Sequence, residues 1–500
     1  TPCSVGHTCT PYPSIAWTLT QLSHRTMEPA LPRRVESIKL RKPVAAAVTQ
    51  EATSSPHQRL REEMRAPQKT TPGFESMPQT GVIYVMSRAT SLGWSHGNEE
   101  WANFGQGAPE VGPIPGAKDR PTSISWGVED NEYGPVAGDR EIRDAVANLY
   151  NTRYRQGMDS QYTYENVCIT PGGRSSLARL AASLGNVYLG HFLPDYSAYE
   201  EMLSVFKRFV PIPQILDPQN GYSIRTEDLQ KEIRNKGLSV VLISNPSNPT
   251  GRVIEGEELE SWVDLARQSQ CSFIIDEFYS SYIYTHDPVD NGRTVSAAEY
   301  VNDVNADPII IVDGLTKNWR LPGWRIAWTV GPKDVIKSLI SAGSFLEGGA
   351  NHPMQLASLP LLNPEFAYED SRALQTHFRA KRDFVVERLR SMGIRVDTVP
   401  CGTFYIWANL EELPAPLNNG LSFFEACLKF KTIVVPGIFF DVNPSKRRDL
   451  FHSPCHHFIR LSFGPSMEVL TRGLTNMEKM IKDKLGSLPS HTPSSSDSNA

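Results

Sequence analysis

Six short apolar stretches constrain the fold of this chain more than any other feature: NVCIT (166–170), VYLGHFL (187–193), SVVLIS (239–244), SFIID (272–276), PIIIV (308–312) and RIAWTV (325–330). A strand with one wet face alternates apolar and polar residues, whereas most of these run apolar without a break, as strands buried on both faces do. Between them, GEELESWVDLARQS (256–269) and PKDVIKSLISAGS (332–344) carry helical spacing. Strands alternating with helices predict an α/β domain with a mostly parallel sheet over 120–345. A long helical stretch over 364–392 then leads into IRVDTV, TFYIWANL, TIVVP and FIRLSF, with a closing helix after Pro465. This reads as a smaller α+β domain over 346–485, joined by a segment at 81–119. Residues 1–80 are rich in Pro, Ser and Thr without periodicity, and with the tail at 486–500 they are expected to be disordered.

Composition narrows the partners. A formal charge of −5 gives no general attraction to nucleic acid or to an anionic membrane. No apolar run reaches the length of a membrane span. The seven cysteines are odd in number and none are in C-x-x-C spacing, which points to a reducing compartment rather than a disulfide framework. Each Asn-x-Ser/Thr triplet (Asn245, Asn248, Asn443) has proline in the middle, so secretion gains no support. The expected location is the cytoplasm. An acid-poor leader before Glu28 keeps a mitochondrial destination open, although Arg25 is its only arginine.

Polar residues follow the buried strands. SVVLIS runs into NPSNPTG and delivers Asn248, SFIID ends on Asp276 with Tyr279 close behind, and PIIIV leads through DGLTK to Lys317. Ligands of open α/β sheets bind beyond the carboxyl ends of the strands, so an amide, a carboxylate and an amine converge on one crevice. Pyridoxal phosphate (PLP) chemistry asks for such groups: a lysine to form an imine, and a carboxylate to keep the pyridine nitrogen protonated. Asn248 and Tyr279 supply donors for the ring oxygen. NVCIT followed by PGGRSSLARLAASLG places Gly172, Gly173 and Arg174 at a helix start suited to a phosphate, with Arg325 as further cationic help.

NPSNPTG, DEFY, TKNWRLPGWR and HFIRLSFG occur in family order and resemble the class I/II aminotransferases of the fold-type I PLP family, over about Trp101 to Lys484. The resemblance implies a PLP-transferase-like large domain and a ping-pong transfer of amino groups between L-amino acids and 2-oxo acids. It implies Lys317 as the imine lysine and catalytic proton carrier, Asp276 as the pyridinium partner, and Asn248 and Tyr279 as ring-oxygen donors. Arg325 matches the phosphate arginine, and Arg460 the arginine that grips the substrate α-carboxylate. Tyr196 matches the aromatic stacked on the ring, and Gly107 a glycine whose backbone lies against the substrate carboxylate. Tyr133 matches a tyrosine that reaches the phosphate of a neighbouring subunit, which implies a homodimer with shared active sites. Many relatives have a hydroxyl residue three before the lysine. Here that position is Gly314, although Thr316 keeps a hydroxyl beside Lys317.

Each residue has a plainer reading. A lysine is usually a solvated surface group, Asp276 could cap a helix, and Arg325 and Arg460 could be structural ion-pair partners. Tyr196 could be a packed aromatic, and the glycines could serve a tight turn. Their joint occurrence favours the chemical reading. His452, Cys455, His456 and His457 lack a second matching ligand pair, and no metal site is expected there. A PLP-dependent lyase or a 1-aminocyclopropane-1-carboxylate synthase-like enzyme would share every residue named. A PLP-binding regulator would need a DNA-binding module that residues 1–90 do not resemble.

Overall fold

The structure is a computed structural model, and it describes residues 55–56, 58–59, 71–74, 81–285 and 292–486. The disorder expected over 1–80 and 486–500 falls almost wholly outside those residues. Among the described residues, no helix is long and apolar enough to cross a membrane.

A seven-stranded sheet has the order β2-β8-β7-β6-β5-β3-β4. Its strands are β2 (Val167–Thr170), β3 (Tyr188–Leu193), β4 (Val210–Ile215), β5 (Leu238–Ser244), β6 (Ser272–Asp276), β7 (Ile309–Gly314) and β8 (Ala327–Val330). Five of them pair in parallel, and β8 runs antiparallel to both β2 and β7. The unbroken apolar runs have a direct physical cause. Val240 and Leu242 of β5 enter one core with Ile274, Ile310 and Val312. Val241 and Ile243 enter the core on the opposite face, with Phe273, Ile275, Ile309 and Ile311. Each central strand is therefore wetted on neither face.

The strand β4 (VPIPQI) has no apolar run to announce it. Two prolines, Pro211 and Pro213, lie within it, and it sits at the sheet edge paired only with β3. An edge strand tolerates prolines because the missing N–H groups can face away from the ladder.

A three-stranded antiparallel sheet has the order β11-β12-β9, formed by β9 (Tyr405–Asn409), β11 (Val435–Pro436) and β12 (Phe458–Ser462). Two expectations change here. IRVDTV forms no strand, and only Arg395 bridges to Asn409. TIVVP divides between two sheets, because β10 (Thr432–Ile433) pairs in parallel with β1 (Ala102–Asn103) while β11 pairs with β12. The pairing of β1 with β10 carries the chain from the helix Val82–Ser91 towards Gly107.

Trp262, on the helix Gly256–Ser269, anchors one face of the large sheet, with its ring 5.9 Å from Phe192 and 6.0 Å from Phe273. It is 1% exposed. Trp262→Ala should destabilise the chain by about 3–5 kcal/mol, read as a lower urea midpoint. A loss below about 1 kcal/mol would contradict this packing.

Candidate active site

Register brings the key groups together. Ser244 pairs with Asp276, and Asp276 with Val312, so β5, β6 and β7 end along one edge. Asp276 is the last residue of β6, and the loops after β5 and β7 carry Asn248 and Lys317. A cavity of ≈ 430 Å³ lies beyond this edge, lined by Gly107, Gly173, Arg174, Tyr196, Asn248, Asp276, Tyr279, Thr316, Lys317 and Arg325. That size suits a small-molecule cofactor.

The cationic end is built from a helix start. The helix Gly173–Ser183 has Gly172 at its N-cap, no side-chain cap and no acidic residue in its first turn. Its free N–H groups and dipole favour an anion. Gly172 has φ +87, and a Cβ there would overlap the guanidinium of Arg325. Arg325 itself holds a left-handed backbone and donates to the carbonyl of Pro322 at 3.1 Å. A side chain at Gly173 would overlap the ring of Phe278. The substitution of Gly314 for a hydroxyl residue has a steric reason, since a Cβ there would sit 2.5 Å from Cα of Ala327 on β8.

Asp276 marks the opposite chemical character. It is buried, and the hydroxyl of Tyr199 donates to its Oδ2 at 2.9 Å. Burial pushes its pKa up to about 6, opposed by Tyr199, the Phe278 N–H and the charge of Lys317. Lys317 is brought down to about 7, by burial first and then by Arg460, Arg174 and Arg325, with Asp276 acting the other way. Near neutral pH this amine is neutral for a large fraction of the time, as a nucleophile must be. Its Nζ donates to the carbonyl of Gly107.

Arg460, on β12, is buried between the rings of Tyr405 and Phe440, at 4.1 and 4.8 Å from their centroids. It donates to Asn248 Oδ1 at 3.0 Å and to the Gly105 carbonyl at 2.8 Å, while its Nε has no partner. It lines a second cavity of ≈ 510 Å³ that shares Gly107, Arg174, Tyr196, Tyr279 and Lys317 with the first. Tyr133 stands apart, 98% exposed and outside both cavities.

Four contributors were not singled out from the sequence. Tyr199 lies three residues after Tyr196 within the same PDYSAY stretch, and its partner is invisible without the fold. Tyr405 contacts the Tyr279 hydroxyl at 2.8 Å, and its own hydroxyl occupies the space that a side chain at Gly107 would need. Asn318 follows Lys317 and is buried, donating to Asp313 and Ser280, each at 2.9 Å, and accepting from the Ser281 N–H at 3.0 Å. It thereby fixes the loop that aims Lys317. Glu110 accepts from Lys381 at 2.6 Å and pairs with His377 at 2.5 Å. Burial alone would raise its pKa, but those two hydrogen bonds prevail and bring it down to about 2. This ties the Gly107 segment to the long helix Pro364–Ser391.

The sequence profile of the family described as aminotransferase class I and II matches residues 99–476. An aspartate aminotransferase of Sulfolobus acidocaldarius is 26% identical over 397 residues, covering 77% of this chain and 91% of its own. A probable N-acetyl-LL-diaminopimelate aminotransferase of Bacillus subtilis is 28% identical, covering 70% of this chain and 82% of its own. In three dimensions, a Thermus thermophilus aspartate aminotransferase single mutant aligns with a TM-score of 0.66 at 22% identity, over 83% of this chain and 100% of that one.

Competitive amine labelling of the cofactor-free protein should modify Lys317 with a midpoint near pH 7. An ordinary lysine titrates at about 10.4. The depressed value means reactivity appears as pH rises through 7, and a midpoint above about 9 would contradict the environment described.

Proposed function

The chain belongs to the class I and II aminotransferase family, and from that membership we propose how its own side chains perform the family's reaction. The enzyme is a PLP-dependent transaminase that passes an amino group from an amino acid to a 2-oxo acid in two ping-pong half-reactions. The observation that carries the residue assignments is the convergence of a depressed lysine, a buried carboxylate and a cationic helix start on one cavity.

PLP fits these residues: Arg174, Arg325 and the turn at Gly172 and Gly173 would hold its phosphate, and Asp276 its pyridine nitrogen. Asn248 and Tyr279 would donate to the ring oxygen, Tyr196 would stack on the ring, and Thr316 would add a hydroxyl beside the lysine. When bound, the cofactor supplies an electrophilic carbon and a protonated ring that accepts electrons from the substrate α-carbon. Lys317 Nζ would hold the cofactor and, as a neutral amine, would take the proton from the substrate α-carbon and pass it to the cofactor's electrophilic carbon rather than return it. The hydrogen bond from Tyr199 favours the charged form of Asp276 despite its burial, and that charge would keep a proton on the pyridine nitrogen of the cofactor. The unpartnered Nε of Arg460 and its aromatic sandwich orient the substrate α-carboxylate, against the backbone at Gly107.

We propose a homodimer as the active unit. Tyr133 has no role in its own cavity, and Trp126 and Val128 near it are exposed as well. A reducing compartment such as the cytoplasm fits the free cysteines Cys168, Cys271, Cys401, Cys427 and Cys455.

Lys317→Ala should remove the near-visible absorbance that PLP acquires on the protein and nearly all turnover; a fully active variant would sink the assignment. Arg460→Ala should raise KM for the amino acid by ~10- to 100-fold, since each charge-assisted bond contributes about 1.5–3 kcal/mol. An unchanged KM would assign the carboxylate to another group.

A further inference from the structure

The second cavity extends the site away from the sheet edge, and its lining has one dominant character. Beyond Lys317 and Arg460 it is walled by Val82, Ile83, Leu177, Met202, Val205 and Phe206. Ile83 is 57% exposed and Val205 53% exposed, so this wall leaves apolar surface in water until something covers it. The helix Tyr199–Val205 supplies Met202 and Val205, and it begins with the same Tyr199 that holds Asp276. The wall is thus fixed relative to the reacting atoms.

Its charges are arranged one way. Among the described residues lining the cavity, the cations are Arg174, Lys317 and Arg460. Arg174 and Lys317 also line the cofactor cavity, and the proposed function engages all three. On the apolar side the ionisable group is Glu201, whose Oε1 is sealed from solvent without a hydrogen bond. A substrate carrying a second carboxylate would meet the Glu201 carboxyl group there and, among this chain's described lining residues, no cation outside the three already engaged. An apolar side chain would cover the wall and release its water.

We infer that the amino-acid substrate carries a large uncharged apolar side chain, aromatic or branched or thioether, and that Met202, Val205 and Glu201 set this choice. The inference rests on the transaminase reading and adds the substrate class to it. It separates this chain from relatives whose names specify aspartate.

The test uses the PLP-loaded full chain mixed rapidly with one amino acid at a time, following the cofactor absorbance. Phenylalanine, leucine and methionine should react at least ~10-fold more efficiently than aspartate or glutamate. Met202→Trp should cost the bulky substrates ~10-fold or more relative to alanine, so that the ratio of phenylalanine to alanine reaction falls by that factor. Glu201→Arg should raise the reaction of aspartate and glutamate. A wild-type preference for the dicarboxylic substrates overturns the inference without touching the transaminase reading. So does an indifferent Met202→Trp. If the bound cofactor responds to no amino acid at all, the transaminase reading falls and the substrate class with it. Because the wild-type panel alone decides between side-chain classes, the test survives a variant that fails to fold.

Discussion

The active-site end of this molecule depends on a carboxylate kept charged where burial opposes it. Asp276 closes a central strand, away from water, and its acidity is weakened accordingly. The hydroxyl of Tyr199 and the backbone N–H of Phe278 oppose that shift. The same low-dielectric surroundings, with three arginines near, strip Lys317 of much of its basicity. One environment therefore sets a carboxylate to pair with a cationic ring beside an amine whose pKa lies near neutrality, the condition under which that amine transfers a proton most efficiently.

The scaffold converts this electrostatic arrangement into geometry. Parallel register sets the ends of β5, β6 and β7 side by side, and Asn318 ties the loop after β7 to Asp313, Ser280 and Ser281. From the other side, Arg460 bonds Asn248 on the loop after β5, and Glu110 fastens the Gly107 segment to the long helix through His377 and Lys381. The groups that meet substrate are consequently borne by elements locked at both ends. Such preorganisation matters because small displacements of reacting atoms cost large factors in rate.

The sequence was most informative where one physical requirement acted on consecutive residues. Burial on both faces wrote β5, β6 and β7 as continuous apolar runs, and the polar residues at and just beyond their ends line one cavity. It was silent where pairing replaced patterning. The edge strand β4 contains Pro211 and Pro213 and has no apolar run, and TIVVP is shared between two sheets through contacts far away in the chain. Tyr199, Tyr405, Asn318 and Glu110 are ordinary residues locally, and their importance comes from partners between 5 and 271 positions distant. The departure at Gly314 became intelligible only once β8 was seen to fill the space above it.

The central claim is that Lys317 is the residue that holds the cofactor. Borohydride reduction of the PLP-loaded protein, followed by peptide mass mapping, would fix the cofactor to the lysine that bears it. The pyridoxyl mass is predicted on the peptide containing Lys317 and on no other. Its appearance on a different lysine, with Lys317 unmodified, would contradict the account.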